Sequence, residues 1–200
     1  MKIILDLCGG TGAWAEPYEE AGYDVRVITL PEYDVRTYNP PENVYGILAA
    51  PPCTEFSIAK SYKLTRDFEA GLEIVRACEK IINRSRPTFF AIENPTGYLR
   101  QYLGKPHFNF QPWEFGDPWT KRTDIWGKFN IPKKEYLEWE DVPKLPLYIR
   151  PGRKKPSMAS LHKSAQTKIP QFKQFNIDTD AAFRSITPPG FAKAFFNANK

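Results

Sequence analysis

The chain predicts an α/β fold built on a mostly parallel, doubly wound sheet. Three observations predict it. Short apolar runs alternate with helical patterns, the first run ends in a glycine-rich turn, and two later runs end in proline-marked polar turns. In such sheets ligands bind at the carboxyl ends of the strands, so the residues that close each run are the first candidates for chemistry.

Taken in order, "KIILDL" (2–7) reads as a buried strand, followed by the turn "CGGTG" (8–12) and a helical stretch "AWAEPYEEAG" (13–22). Pro17 must sit near the first turn of that helix, where its missing N–H costs nothing. "YDVRVITL" (23–30) is a second strand and "VYGILAA" (44–50) a third. "DFEAGLEIVRACEKIINR" (67–84) carries Leu72, Val75, Ile81 and Ile82 at helical spacing. "PTFFAIENP" (87–95) is the next strand, ended by Asn-Pro, and "TDIWGKFNI" (123–131) another. A final helix from about Gly190 would pack beside the first strand through Phe191, Ala194 and Phe195. Internal repeats and low-complexity segments are absent.

Two hundred residues, 42% of them hydrophobic and 14% aromatic, suffice for one core and are short for two. The chain lacks a long apolar run, and "MKIILDLCGG" turns acidic and glycine-rich too early for a signal peptide. The expectation is a cytoplasmic protein without a membrane partner. Cys8, Cys53 and Cys78 are too few and scattered for a disulfide framework. With only His107 and His162 beside them, no metal site is expected, and an unpaired reactive thiol remains open.

Charge is unevenly spread. Residues 143–177 hold Lys144, Arg150, Arg153, Lys154, Lys155, Lys163, Lys168 and Lys173 with no Asp or Glu, which leaves the remainder of this +5 chain at −3. Such a block attracts a polyanion, or is a solvated basic loop. Its five prolines argue for irregular structure over a long helix.

The strand ends differ in chemistry. After the first strand, Asp6, Gly9, Gly10 and Gly12 form a turn that permits positive φ and close backbone approach to a ligand. It suits any nucleotide-like cofactor, or simply a tight strand-to-helix turn; neither the phosphate-loop nor the full dinucleotide pattern is matched. "AAPPCTEFS" (49–57) ends the third strand in two prolines that stiffen the loop and would hold the Cys53 thiol in one orientation, as a nucleophile needs. The plainer reading makes Cys53 a small buried hydrophobe. Glu93 follows an apolar strand directly, where desolvation raises a carboxyl pKa and lets it donate a proton. It reads equally as a helix cap or surface carboxylate.

In this order, "LDLCGGTGAW", "APPCTEFS", "ENP", "TKRTD" and "RSITPPGFAKAFF" resemble the DNA cytosine-5 methyltransferase family over about residues 1–130 and 181–200. The resemblance implies a class I S-adenosylmethionine-dependent methyltransferase fold of Rossmann-like type, acting on DNA. It implies Cys53 as the nucleophile that adds to cytosine carbon 6, Glu93 as the acid at ring nitrogen 3, and Arg122 as a clamp on the extruded base. S-adenosylmethionine would meet Asp6, Cys8, Gly9, Gly10, Thr11, Gly12, Asp34, Val35, Pro52 and Thr187, with Trp14 at a packing position and Glu32 nearest the ribose.

The departures from the family pattern are specific. Thr54 stands for the Gln after the nucleophile, Thr120 and Asp124 for the Gln and second Arg around Arg122, and a helix after the second strand is missing. Residues 1–130 plus 179–200 would form the catalytic domain, and 131–178 a small basic insertion, a reduced target-recognition region of the kind seen in compact phage-like members. Arg150, Arg153, Lys154, Lys155, Lys163 and Lys168 would then bind DNA, and a separate recognition subunit is the other way to supply what the insertion lacks. A related enzyme acting on RNA or a free nucleotide, and a nucleic-acid-binding protein without turnover, are the alternatives.

Overall fold

Alternation in the first apolar run sets the two faces of the molecule. In the computed structural model, which describes residues 1–59 and 65–200, β1 (Ile3–Leu7) buries four of its five side chains. Leu5 and Leu7 enter one core layer and Ile4 the other, as the two-residue period requires. Parallel neighbours β2 (Asp24–Ile28) and β3 (Val44–Ala49) flank β1, and β4 (Phe89–Pro95) extends the parallel set beyond β3. β6 (Thr123–Lys128) then runs antiparallel to β4, and a short β5 (Phe108–Phe110) antiparallel to β6 closes the edge. The order is β2-β1-β3-β4-β6-β5.

The sheet is therefore mostly parallel, with the strand expected over 123–131 shortened and reversed. β5 escapes sequence reading because Phe-Asn-Phe is too short to establish a period.

Helices cover both faces. α2 (Phe68–Ser85) turns Leu72, Val75, Cys78, Ile81 and Ile82 onto the face of Leu5, Leu7, Ile47 and Ile92. Asp67 caps it by accepting from the Ala70 N–H at 3.0 Å. On the opposite face lie α1 (Glu16–Glu20), with Pro17 in its first turn, and α5 (Pro189–Asn199). α5 buries Phe191, Ala192 and Phe195, and the half-buried Ala194 packs against the same core layer, so the expected contact through Phe191, Ala194 and Phe195 is present with Ala192 added to it. Phe191 stacks on Phe110 with ring centroids 3.9 Å apart, which ties the helix to the β5 edge. Two further short helices among the described residues are α3 (Arg100–Leu103) and α4 (Asp180–Ser185).

The proline-rich basic segment is irregular, with short 3-10 turns at Met158–Ser160, Lys163–Lys168 and Pro170–Phe172. It nonetheless has an apolar centre. Leu147, Met158, Leu161, Ile169 and Phe172 pack with Ala13, Trp119, Phe183 and Ile186. Thr120 pins it to the sheet, donating its N–H to the Pro156 carbonyl at 2.9 Å and accepting at its own carbonyl from the Met158 N–H at 3.0 Å. No described helix is long and apolar enough to cross a membrane.

Candidate active site

Three strand ends converge on one edge of the sheet. β1, β3 and β4 are parallel neighbours, so the glycine turn after β1, the Pro-Pro-Cys loop after β3 and the Glu-Asn-Pro end of β4 lie side by side at their carboxyl ends.

The first turn depends on backbone conformations that few side chains tolerate. Cys8, Gly10 and Gly12 have φ of 57°, 56° and 76°. At Gly9 an added Cβ would lie 2.4 Å from the Asp6 carboxyl, so the bare backbone packs directly on that group. Asp6 is fully buried, and neither carboxyl oxygen has a hydrogen-bond partner among the described residues. Burial pushes its pKa up to about 7. The Cys8 thiol is turned under the turn, where a hydrogen bond from Cys78 of α2 lowers its pKa and raises that of Cys78. Thr11 and Gly12 are half-buried and Gly10 is exposed. Trp14 is 2% exposed and packs on Phe191 and Phe195, so it supports the turn from below.

Beyond β2, Glu32 is exposed and Val35 buried. Asp34 is held by Arg36, whose Nε and Nη2 donate to its oxygens at 2.9 and 2.5 Å, and this keeps the carboxyl below its ordinary pKa. Thr187 is buried just ahead of α5.

Cys53 is half-buried at the head of a tight turn whose Phe56 and Ser57 N–H groups donate to the Cys53 carbonyl at 3.0 and 2.8 Å. Two contacts fix this loop to β4 and the turn after it. The Asn94 side-chain amide donates to the Pro51 carbonyl at 2.9 Å, and the Tyr98 N–H donates to the Phe56 carbonyl at 2.8 Å. The second contact needs glycine at position 97, because a Cβ there would lie 2.2 Å from the Phe56 oxygen. Pro52, beside the thiol, is exposed. Burial raises the Cys53 pKa, the Lys121 ammonium opposes that rise and the Glu93 carboxylate adds to it.

Glu93 is 8% exposed. Desolvation raises its pKa, again opposed by Lys121, whose Nζ is 4.0 Å from Oε1. Cys53, Glu93 and Lys121 thus form one electrostatically linked group.

Arg122 stands apart from it. Its side chain is exposed and its Nε donates to Asn109 Oδ1 at 3.2 Å. Asp124, where the family pattern has arginine, is fully buried and accepts from Arg100 Nε and Nη2 at 2.6 Å each, from Asn109 at 2.6 Å and from Thr96 at 2.9 Å. The arginine that pairs with it comes from α3. Lys121 and the Arg100–Asp124 pair were missed in sequence because both depend on the β4–β6 register.

The basic residues divide into two groups. Arg150, Arg153, Lys154 and Lys168 are exposed. Lys155 is half-buried with its ammonium over Trp113 and Trp139, at 4.6 and 5.2 Å from the ring centroids, and Lys163 donates to the Asp178 carbonyl. No group of three or more His, Cys, Asp or Glu with metal-binding geometry occurs among the described residues.

Residues 5–110 match the family model described as C-5 cytosine-specific DNA methylase. Among solved structures, the chain is similar to a candidate DNA modification methyltransferase encoded within a prophage (E. coli), with 16% identity and a TM-score of 0.47. That similarity covers 78% of this chain and 51% of the other, so the chain spans about half the length of that protein. No curated protein matches it. The mixed sheet with its single reversed strand between β4 and β5 is the class I S-adenosylmethionine-dependent methyltransferase fold. More than half of the sequence falls within the family match, and the chain belongs to the C-5 cytosine-specific DNA methylase family.

Proposed function

We propose that the protein transfers a methyl group from S-adenosylmethionine to carbon 5 of cytosine in DNA, through a covalent Cys53 adduct at carbon 6. The observation that carries this reading is the pairing of Cys53 and Glu93 at the ends of adjacent strands, with the Cys53 loop tied to β4 through Asn94 and to the turn after it at Gly97.

The Asp6 carboxyl, buried without a donor under a bare glycine backbone, fits a cationic amine, and the methionine end of S-adenosylmethionine carries one. Asp6 and the Cys8–Gly12 backbone would hold that end, Asp34 and Val35 the adenine, Glu32 the ribose and Pro52 the reacting side, with Thr187 a further cofactor contact ahead of α5 and Trp14 packing beneath. When bound, the cofactor supplies an electrophilic sulfonium methyl.

The residues of this chain prepare the acceptor. The Cys53 thiolate forms the S–C6 bond, and the C5=C6 electron pair moves into the ring. Glu93, whose pKa burial raises, donates its proton to ring nitrogen 3 and so stabilises the electron-rich adduct. After methyl transfer, water takes the carbon 5 proton, the C5=C6 bond re-forms as the S–C6 pair leaves with the thiolate, and ring nitrogen 3 returns its proton to Glu93. Carbon 6 is inaccessible in a stacked duplex, so the base is flipped out or already single-stranded. Arg122, exposed at the rim, would clamp the flipped nucleotide. Residues 131–178 would serve as the reduced recognition region, with Arg150, Arg153, Lys154 and Lys168 as its phosphate contacts and Lys155 and Lys163 chiefly holding its shape.

Transfer of labelled methyl to duplex DNA, single-stranded DNA, RNA and dCMP tests the reading, with the product base identified by mass. The expected result is 5-methylcytosine in DNA from wild type and none from Cys53→Ala. Methylation of RNA or dCMP alone would reassign the acceptor, and transfer by Cys53→Ala would overturn the covalent mechanism.

A further inference from the structure

Lys121 falls outside the positions that the family pattern assigns, and its surroundings give it a defined task. The antiparallel register pairs Glu93 with Ile125 and Pro95 with Thr123. Paired residues share a face, and side chains alternate along a strand, so Lys121 projects to the Glu93 side while Arg122 and Asp124 project to the other. Its side chain is 12% exposed and that of Glu93 11%, with Nζ 4.0 Å from Oε1. Its backbone N–H is anchored on Gln111 Oε1 at 3.1 Å. A lysine whose only task was solubility would extend into water; this one gives up hydration to sit beside a buried carboxyl.

Among the described residues, three other charged or titratable groups bear on it. Glu93 comes from β4, Cys53 from the loop after β3, and Asp124 from β6, where Arg100 of α3 already neutralises it. Lys121 is therefore one cation facing two acids, Cys53 and Glu93.

We infer that Lys121 is a positioning residue that holds the net charge of the catalytic pair at a single compensated negative while the proton moves between Cys53 and Glu93. This deepens the reading above and rests on it. Before attack the group consists of thiol, carboxylate and ammonium. To form the nucleophile, the thiol proton passes to Glu93, giving thiolate, carboxylic acid and ammonium. The sulfur electron pair then forms the S–C6 bond, and Glu93 passes that same proton to ring nitrogen 3. One negative and one positive charge are present throughout, so no step creates an uncompensated ion in the buried site.

The test reads Cys53 directly, without methyl donor or DNA. Alkylation by iodoacetamide is followed from about pH 6 to about pH 10, and modification of the Cys53 peptide is quantified by mass. In Lys121→Met the alkylation profile should move up by about one pH unit, so that modification below the midpoint is about tenfold slower. Lys121→Arg should stay within about threefold of wild type, and Glu93→Gln, which removes the neighbouring negative charge, should move the profile down. A Lys121→Met profile that superimposes on wild type, an Arg variant shifted as far as Met, or an unmoved Glu93→Gln profile would each overturn the inference. Because wild-type methyl transfer is measured separately, a wrong acceptor would leave this result interpretable.

Discussion

Asp6 and Asp124 are both buried carboxyls, and their surroundings give them opposite consequences. Asp6 has no donor, and burial pushes it up to about 7, against about 4 in an unfolded chain. Between those values the folded state keeps a proton that the unfolded state has released. Its contribution to stability is therefore fully present below about pH 4 and is lost as pH rises through about 7, at about 1.4 kcal/mol per pH unit. Asp6→Asn does not titrate, so its stability relative to wild type should climb steadily from about pH 4 to about pH 7 and level off above. Urea unfolding across a pH series measures this, and parallel curves would mean that Asp6 stays charged in the fold. Asp124 instead accepts four donor contacts from Arg100, Asn109 and Thr96. Asp124→Ala leaves the arginine and its neighbours unpaired and should cost about 3 kcal/mol, visible as a lowered urea midpoint with unchanged slope. The positions of Cys53 and Glu93 at the strand ends are legible in sequence because each follows an apolar run in its own short motif. Asp124 and Lys121 were not, since which face each occupies is fixed by pairing with β4, a long-range contact that no local pattern encodes.

At the level of elements, the loop that carries Cys53 has little regular structure of its own, and the end of β4 with the turn that follows it supplies its order. Ser57 bridges Gly97, the Tyr98 N–H reaches the Phe56 carbonyl, and Asn94 holds Pro51. A Cβ at position 97 would displace the Phe56 backbone from 2.2 Å, so Gly97→Ala should move the loop that carries Cys53. The expected outcome is a loss of methyl transfer of about 100-fold or more, with Tm lowered by several degrees. Activity near that of wild type would mean that the loop keeps its place without this contact. The helices show which element patterns can be read in advance. α2 was plain from its apolar spacing and its capping Asp67, because both signals are local. α5 is legible with its contact residues Phe191, Ala194 and Phe195, whereas the stack of Phe191 on Phe110 is not, because β5 is too short to read. Phe191→Ala empties that stack and should destabilise the fold by about 3–5 kcal/mol, measured by urea unfolding.

The whole molecule places its chemistry along the strand ends and concentrates exposed positive charge in the segment after β6. Composition alone revealed that charge, but it could not separate the cations that face water from those that hold the segment together. Arg150, Arg153 and Lys154 are exposed, whereas Lys155 lies against Trp113 and Trp139 and Lys163 bonds the Asp178 carbonyl. The two groups should answer different experiments. If Arg150, Arg153 and Lys154 each neutralise a phosphate, changing all three to Ala removes up to three released counterions. The slope of log affinity against log salt for duplex DNA should then flatten by up to about 2.7. Thermal stability should barely change, since all three residues are exposed. Lys155→Ala should do the reverse, lowering Tm through the lost aromatic contacts while removing at most one unit of salt slope. Fluorescence anisotropy at several salt concentrations, paired with thermal melts of the same variants, separates the two effects. A triple variant with an unchanged salt slope would move the DNA contact away from this segment. Residues 131–178 would then be a structural brace over Trp119, and recognition would rest on the rim around Cys53 or on a second subunit.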